Sequence, residues 1–302
     1  MASAAGATGR LPVAVYDHTG IRLTGVVWTG SRLLYMENTT NVLWAPGKPP
    51  TTFATMPKVV EETRCAASPG THGWPAGALF CHSPDNVIYR VDPDGSVQEL
   101  TRLNDPLVSD GAIAFDRLGG FGYRLLAATG RSGADQQGGT VYAVSPAGTV
   151  ARIGIYGSPR HGGAENMVQA PRGFGSIGGS LVLTLDAGAA SGSIVAFDPK
   201  GRNRVLAYLP DGANPVAVVP SRPAPRRPPV PRGLYLSDTN STNVFLAREA
   251  TLRRYAGAIV VGTEIHAQFW GVAPHGSGYT TRRLPLVLPG SNFNLEGAAF
   301  VA

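Results

Sequence analysis

The chain has 302 residues, of which 43% are apolar and 15% charged, so it encodes a globular protein and not a disordered one. Its net charge of +6 comes from scattered arginines, and the densest basic run, residues 221–233, is proline-rich, so we expect no nucleic-acid partner. No apolar run approaches the roughly 18 residues that a membrane-spanning helix needs, so we expect no membrane partner either.

The first ten residues are small and polar and lack the apolar segment of a signal peptide. We therefore expect residues 1–10 to be a loose tail and the chain to be cytoplasmic. Two cysteines occur, Cys65 and Cys81. In a cytoplasmic chain one such pair favours two buried thiols over a disulfide, and their spacing matches no metal-finger pattern.

Six hairpin patterns follow one another along the chain, with a period of about fifty residues typical of repeat architectures. They span residues 32–47, 78–95, 124–148, 180–201, 233–249 and 258–276. Three of them share a turn of the form Asp/Ser-Pro-x-Gly, at residues 92–95, 145–148 and 198–201. Proline and glycine supply the dihedral angles of such turns, and the 39 glycines and 25 prolines indicate many more.

A further short strand precedes most hairpins and begins with a polar residue. These strands begin at Thr24, Asp110, Glu165, Asn214 and, close to the C-terminus, Glu296, whereas the second unit has only the degenerate "RCAASPG" in this place. Six units of four strands predict an all-β, six-bladed β-propeller with four-stranded antiparallel blades. A β-sandwich or a β-helix explains the period less well.

The fifth and sixth hairpins lie too close for an inner strand between them. We therefore expect the C-terminal strand to supply the inner strand of the last blade and to help close the ring, which removes exposed sheet edges. The predicted organisation is a single propeller domain over residues 11–302, with residues 219–233 inserted as a loop rich in proline and arginine.

In an antiparallel hairpin, the start of one strand and the end of the next lie at the same edge. The inner-strand starts therefore share one face of the disc with the residues that end the second strands, namely Glu37, His82, Thr129, Asp186, Asp238 and Glu264. Converging carboxylates repel one another unless some are protonated or a cation neutralises them. A loose ring of oxygen ligands suits Ca²⁺, and the alternative is that these residues only cap turns.

The starts Asp110-Gly111, Glu165-Asn166, Asn214-Pro215 and Glu296-Gly297 resemble those of the calcium-dependent six-bladed propellers. That superfamily contains the SMP-30/gluconolactonase group, the paraoxonases and the strictosidine-synthase-like proteins. The resemblance implies Glu165, Asn214, Glu296 and Asp110 as metal ligands at the channel mouth. It departs in the first blade, where Thr24 in "TGVVW" stands in place of a glutamate ligand of the lactonases.

A hydrolytic reaction at such a metal needs a base that activates water. His161 is the first candidate, because the "SPRHGG" loop leads into Glu165, the second catalytic candidate. Arg160, the third, would orient an anionic substrate. His82 and His266 are second choices for the base, and His18 lies before the first blade.

Three functions follow from this interpretation. The first is a metal-dependent hydrolase acting on a lactone or another ester, with the active site at the mouth of the channel. The second is a metal-independent biosynthetic enzyme of the strictosidine-synthase-like kind, and the third is a non-catalytic binding propeller. The expected partner is a small-molecule substrate, the expected state a monomer or weak oligomer, and the composition is typical of a bacterial source.

Overall fold

The computed structural model describes residues 9–37, 41–44, 50–57, 62–107, 111–130, 138–157, 162–187, 191–222 and 228–302. These residues form six four-stranded antiparallel sheets and one two-stranded parallel pair. Their helical segments are α1 (Glu249–Leu252) and 3-10 turns at Gly175–Ile177 and Arg253–Tyr255. The prediction of an all-β protein is confirmed. No helix in this part of the chain is long and apolar enough to cross a membrane.

The sheets stand around one axis in a β-propeller arrangement, and each contributes one inner strand. The inner strands are β3 (Leu23–Trp28), β7 (Arg64–Ala67), β11 (Ile113–Phe115), β15 (Gly163–Gln169), β19 (Ala213–Val218) and β26 (Leu295–Val301). Each contacts the inner strands of its two neighbouring sheets, and β26 contacts β3, so the contacts run once around the axis. All six inner strands begin at the same end of the resulting channel.

Four sheets are built from consecutive strands that run outward from the axis. Their second strands are β4 (Leu33–Glu37), β8 (Leu79–His82), β12 (Leu125–Ala128) and β16 (Leu181–Asp186). Their third strands are β5 (Asn41–Trp44), β9 (Val87–Val91), β13 (Gly139–Val144) and β17 (Gly192–Phe197). Their outer strands are β6 (Thr51–Thr55), β10 (Val97–Arg102), β14 (Val150–Tyr156) and β18 (Asn203–Leu209). The second and third strands lie within the first four predicted hairpins.

In the last two sheets the neighbouring strands are not all consecutive in the chain. In one of them β19 pairs with β22 (Ile259–Thr263), followed by β23 (Phe269–His275) and β24 (Gly278–Leu284). In the other, the C-terminal β26 pairs with β20 (Gly233–Asp238), followed by β21 (Asn243–Arg248) and the N-terminal β2 (Ala14–His18). The flanking pair joins β1 (Leu11–Pro12) to β25 (Leu286–Val287).

The prediction that the C-terminal strand completes the last hairpin is therefore wrong. That strand joins the fifth hairpin, because residues 233–238 pair with 295–301 along most of their length. The strand predicted for the fifth hairpin, β19, instead pairs with the sixth. One sheet thus contains the early strand β2 as its outer strand and the C-terminal β26 as its inner strand.

Cys65 and Cys81 form a disulfide, so the prediction of two free thiols is wrong. The two residues lie directly opposite each other on β7 and β8, with 4.0 Å between their Cα atoms. Sequence alone left the strand register open, and this pairing places the two sulfur atoms within bonding distance. The bond fixes the inner strand β7 to its neighbour.

The apolar core lies between neighbouring sheets. Leu34 and Met36 on β4, for example, pack with Leu79 and Val91 of the next sheet. Trp74 is buried and donates a hydrogen bond from its indole nitrogen to the carbonyl oxygen of Tyr123. Contacts of this kind hold the inner strands in fixed positions around the channel.

Candidate active site

Four of the inner strands carry a β-bulge near their first residues. The register shifts leave one extra residue in each, and the residues concerned are Thr24, Glu165, Asn214 and Glu296. All four are buried. A bulge leaves its extra residue outside the ladder and re-aims the side chain, which explains why polar residues at these positions can face the axis.

Three of the four predicted metal ligands meet at this level. The side-chain amide of Asn214 donates to Glu296 Oε2 at 2.8 Å and approaches Glu165 Oε2 at 3.5 Å. The fourth, Asp110, lies outside the described residues, as do the predicted catalytic residues Arg160 and His161.

An arginine that sequence analysis did not identify occupies the centre of this group. Arg64, the first residue of β7, places Nη2 2.7 Å from Glu296 Oε2, 3.5 Å from Glu165 Oε2 and 3.9 Å from Glu62 Oε2. Its Nη1 donates to the carbonyl oxygen of Thr24. We call Glu62, Arg64, Glu165, Asn214 and Glu296 the axial layer.

The guanidinium of Arg64 is the cation of the axial layer. Burial alone would lower its pKa, but the carboxylates of Glu296, Glu62 and Glu165 raise that pKa above its ordinary value. Arg64 opens the segment "RCAASPG", at the place where four of the other inner strands were predicted to begin with acidic or amide residues. An arginine in that position was the one signal available in the sequence.

Further amides fix the orientation of the carboxylates. Asn166 Nδ2 donates to Asn214 Oδ1 at 2.6 Å and to the carbonyl oxygen of Glu296 at 2.9 Å. Asn294 Nδ2 donates to Glu296 Oε1 at 2.7 Å. Because the oxygen of the Asn214 amide accepts from Asn166, its nitrogen faces the carboxylates.

The axial layer does not fit a Ca²⁺ ion in this arrangement. Oxygens of Glu62, Glu165 and Glu296 lie within 4.8 Å of one another, which is close enough for three ligands of one ion. However, the ion would need oxygens at 2.3–2.6 Å, and Arg64 Nη2 already lies among these three carboxylates. Asn214 also presents nitrogen to this space, and nitrogen of an amide is not a calcium ligand.

Next to the axial layer lies Glu264, the residue that follows β22. Burial, followed by the charges of Glu296, Asp186 and Glu62, raises the pKa of Glu264 to about 9. This carboxyl group is therefore protonated at neutral pH. Gly212 lets the backbone pass close to both carboxyl groups, because a Cβ atom here would displace Asp186 Oδ1 and lie 3.1 Å from Glu264 Oε2.

The same turn holds a histidine–aspartate pair. His266 Nδ1 lies 2.8 Å from Oδ2 of the buried Asp211, which also accepts hydrogen bonds from the backbone N–H groups of Ile265 and His266. The His266 side chain is 59% exposed. With Nδ1 as the donor to the carboxylate, Nε2 is the ring nitrogen left available to a substrate.

Three other predicted positions, His82, His18 and Asp238, lie in contacts within the fold. His82 is fully buried, with Nδ1 3.4 Å from the carbonyl oxygen of Ala112, and His18 is exposed beside Asn243. Asp238 accepts hydrogen bonds from Ser241 and from the backbone of Asn294. For Asp238 the interpretation as a turn former is correct.

No family model and no curated protein matches this chain. Solved structures do match, and they include sugar dehydrogenases and a gluconolactonase. The PQQ-bound aldose sugar dehydrogenase from Streptomyces coelicolor superposes with a TM-score of 0.56 and 14% identity, over 92% of this chain and 89% of that one. A gluconolactonase from Xanthomonas campestris gives 0.52 and 13%, over 92% and 80%.

A third structure, the apo-form soluble aldose sugar dehydrogenase from Escherichia coli, gives a TM-score of 0.52 and 10% identity, over 96% of this chain and 99% of that one. At such identities the likeness extends to the fold alone. The chain is a β-propeller whose structural neighbours include a gluconolactonase and sugar dehydrogenases.

Proposed function

We propose that this protein is a hydrolase of a lactone or another small ester, and that its six sheets are the blades of a six-bladed propeller with the active site at the mouth of the channel. The observation that carries the proposal is that a protonated carboxyl group, Glu264, and a histidine oriented by a buried carboxylate, His266, lie two residues apart on one turn. The fold shared with a gluconolactonase is consistent with this chemistry.

In this mechanism His266 Nε2 takes a proton from water as the water oxygen attacks the carbonyl carbon of the ester. The tetrahedral intermediate then collapses, and Glu264 donates its proton to the oxygen of the departing alcohol. The products are a carboxylic acid and an alcohol, which in a lactone are parts of one molecule. Asp211 keeps the base in the tautomer that leaves Nε2 unprotonated.

The proposed reaction proceeds without a metal ion. The Ca²⁺ predicted from the sequence remains untested, and the position of Arg64 among the carboxylates argues against it. The metal-independent alternative of the sequence analysis is supported in this respect. We keep hydrolysis because ester cleavage uses a base for the attacking water and an acid for the departing alcohol, and this turn carries one group of each kind.

The test uses protein that has been treated with EDTA and desalted. Hydrolysis of glucono-1,5-lactone is measured as the rate of acid release above the spontaneous background. We expect activity to survive this treatment, and Glu264→Gln and His266→Gln each to lower kcat by about 100-fold or more. His275→Gln, an exposed histidine on β23, is the matched control and should keep full activity. Loss of activity with EDTA and recovery with Ca²⁺ would restore the metal hypothesis, and absence of activity on a panel of lactones and aryl esters would reject hydrolysis.

The compartment is a further part of the proposal. Disulfides persist in oxidising environments and are rare in the cytosol. The Cys65–Cys81 bond therefore favours an oxidising compartment over the cytoplasmic location expected from the sequence. We retain a small-molecule substrate as the partner of the site.

A further inference from the structure

A cavity of about 460 Å³ occupies the other half of the channel, beyond the axial layer. Its inner end is closed by Arg64 and Asn166, and its walls come from the later residues of the inner strands. Apolar atoms make up slightly more than half of its lining surface, and the larger apolar side chains include Trp28, Ile113, Phe115, Met167, Val168 and Phe300. Small-molecule sites in proteins have volumes of roughly 300–1,000 Å³, and the volume of this cavity lies in that range.

One cationic side chain stands at the outer end of this cavity. Arg117 follows β11 and is exposed, although the surrounding protein lowers the pKa of its guanidinium by desolvation. Its Nη2 donates to the carbonyl oxygen of Ala67, on the neighbouring inner strand β7, at 3.0 Å. Among the described residues no carboxylate forms an ion pair with Arg117. The nearby carboxylate of Asp116 is turned into its own loop, where it accepts four backbone N–H groups and the amide of Gln169.

The two arginines of the channel therefore differ in the charge available to a ligand. The positive charge of Arg64 is balanced by carboxylates of the axial layer and is not available to a ligand. Arg117 keeps its positive charge, next to an apolar space that can receive the body of a ligand. This combination matches a molecule with one anionic group at the end of an apolar body.

We propose that this half of the channel binds a small amphipathic carboxylate, with its apolar body in the cavity and its carboxylate on Arg117. At about 30 Å³ for each water-sized group, the cavity holds on the order of fifteen such groups, which suits a carboxylic acid of medium chain length. The site lies at the opposite end of the channel from Glu264 and His266. It is independent of the proposed hydrolysis.

The test is titration calorimetry of the full chain with octanoate, 1-octanol and butyrate. We expect octanoate to bind with a Kd of about 1 mM or tighter, as about ten non-hydrogen atoms permit. We expect 1-octanol, which lacks the charge, and butyrate, which lacks most of the apolar body, each to bind at least about tenfold more weakly. Glu264→Gln should bind octanoate like the wild type, so this test does not depend on the hydrolytic site.

Two variants with matched controls locate the ligand. Arg117→Gln should erase the preference for octanoate over 1-octanol, whereas Arg283→Gln, the same change on the outer strand β24, should not. Ala298→Phe fills the cavity and should weaken both ligands, whereas Ala151→Phe on the outer strand β14 should not. A brominated octanoate should also quench the fluorescence of Trp28, which lines the cavity, and this quenching should be lost in Trp28→Phe.

The proposal is overturned if the wild type shows no saturable binding of octanoate up to roughly 10 mM, ten times the expected constant. Binding that survives both Arg117→Gln and Ala298→Phe would place the ligand elsewhere and also overturn it. Equal affinity for octanoate and 1-octanol would reject the role of Arg117. If Ala298→Phe fails to fold, the quenching experiment with Trp28→Phe decides the location alone.

Discussion

Replacing Arg64 by alanine tests whether its guanidinium is the cation of the axial layer. The variant leaves the carboxylates of Glu165 and Glu296, whose side chains are 3% and 2% exposed, without their positive partner. Removing one partner of a buried ion pair destabilises a protein by about 3–5 kcal/mol, because the remaining charge is buried without compensation. We expect Arg64→Ala to lower the free energy of unfolding by this amount at neutral pH.

The control is Arg102→Ala. Arg102 and Glu99 form a pair with a similar separation, 2.8 Å between Nη2 and Oε2, but their side chains are 54% and 43% exposed. Exposed pairs contribute about 0–1 kcal/mol, so this variant should unfold close to the wild type. The measurement is urea denaturation of all three proteins followed by circular dichroism.

The same urea denaturation is then repeated in the presence of Ca²⁺. Arg64→Ala opens a space among three carboxylates, and an ion that binds there at 100 times its Kd would restore about 2.7 kcal/mol. The wild type should not respond to Ca²⁺, because Arg64 occupies that space. The reasoning is refuted if Arg64→Ala is as stable as Arg102→Ala, or if Ca²⁺ stabilises the wild type as much as the variant.

Two further predictions concern Glu264 and the disulfide. Because the pKa of Glu264 is raised to about 9 in the folded protein from an ordinary value of 4.5, its contribution to stability is complete below pH 4.5 and is lost as the pH rises through 9. Melting temperatures measured from pH 5 to 9 should therefore fall more steeply for the wild type than for Glu264→Gln, and parallel curves would contradict the assignment. The double variant Cys65→Ala/Cys81→Ala opens a loop with a sequence separation of 16 residues and should lose about 3 kcal/mol in urea denaturation; an unchanged midpoint would show that the bond contributes nothing.

The hairpins could be predicted from sequence because their signals are local. Each turn of the form Asp/Ser-Pro-x-Gly forms as expected, with the glycine N–H bonded to the carbonyl oxygen three residues earlier and the glycine at positive φ. Proline and glycine encode this geometry within four residues. Alternation of apolar residues then marks the two strands on either side.

The exchange between the last two sheets could not be predicted in the same way. The choice between β20 and β22 as the partner of β26 depends on pairing between strands that lie far apart in the chain. Both are apolar strands of similar length, so local pattern does not distinguish them. The prediction of free thiols at Cys65 and Cys81 was wrong for a related reason, because their bond depends on the register of β7 with β8.

Of the candidate site, only the acidic and amide residues could be predicted from the sequence. Glu165 and Glu296 stood out because glutamate is a poor turn residue at the start of a buried strand, and the bulges that place them toward the axis leave no pattern in the sequence. Arg64 could not be predicted from a pattern of oxygen ligands, because its guanidinium takes the place of the metal ion that such ligands would bind. Thr24, where the resemblance implies a glutamate, supplies a carbonyl oxygen to that same arginine.

The positive charge of Arg64 also affects the pKa of Glu264, the proposed acid. Burial and the charges of Glu296, Asp186 and Glu62 raise the pKa of Glu264, whereas the positive charge of Arg64 lowers it. A divalent ion in place of the guanidinium would carry twice that positive charge at the same position, and would lower the pKa of Glu264 further. Glu264 could then lose the proton that it must donate at neutral pH. A single positive charge is thus the better match to an acid at this position, since it balances the axial layer while Glu264 remains protonated.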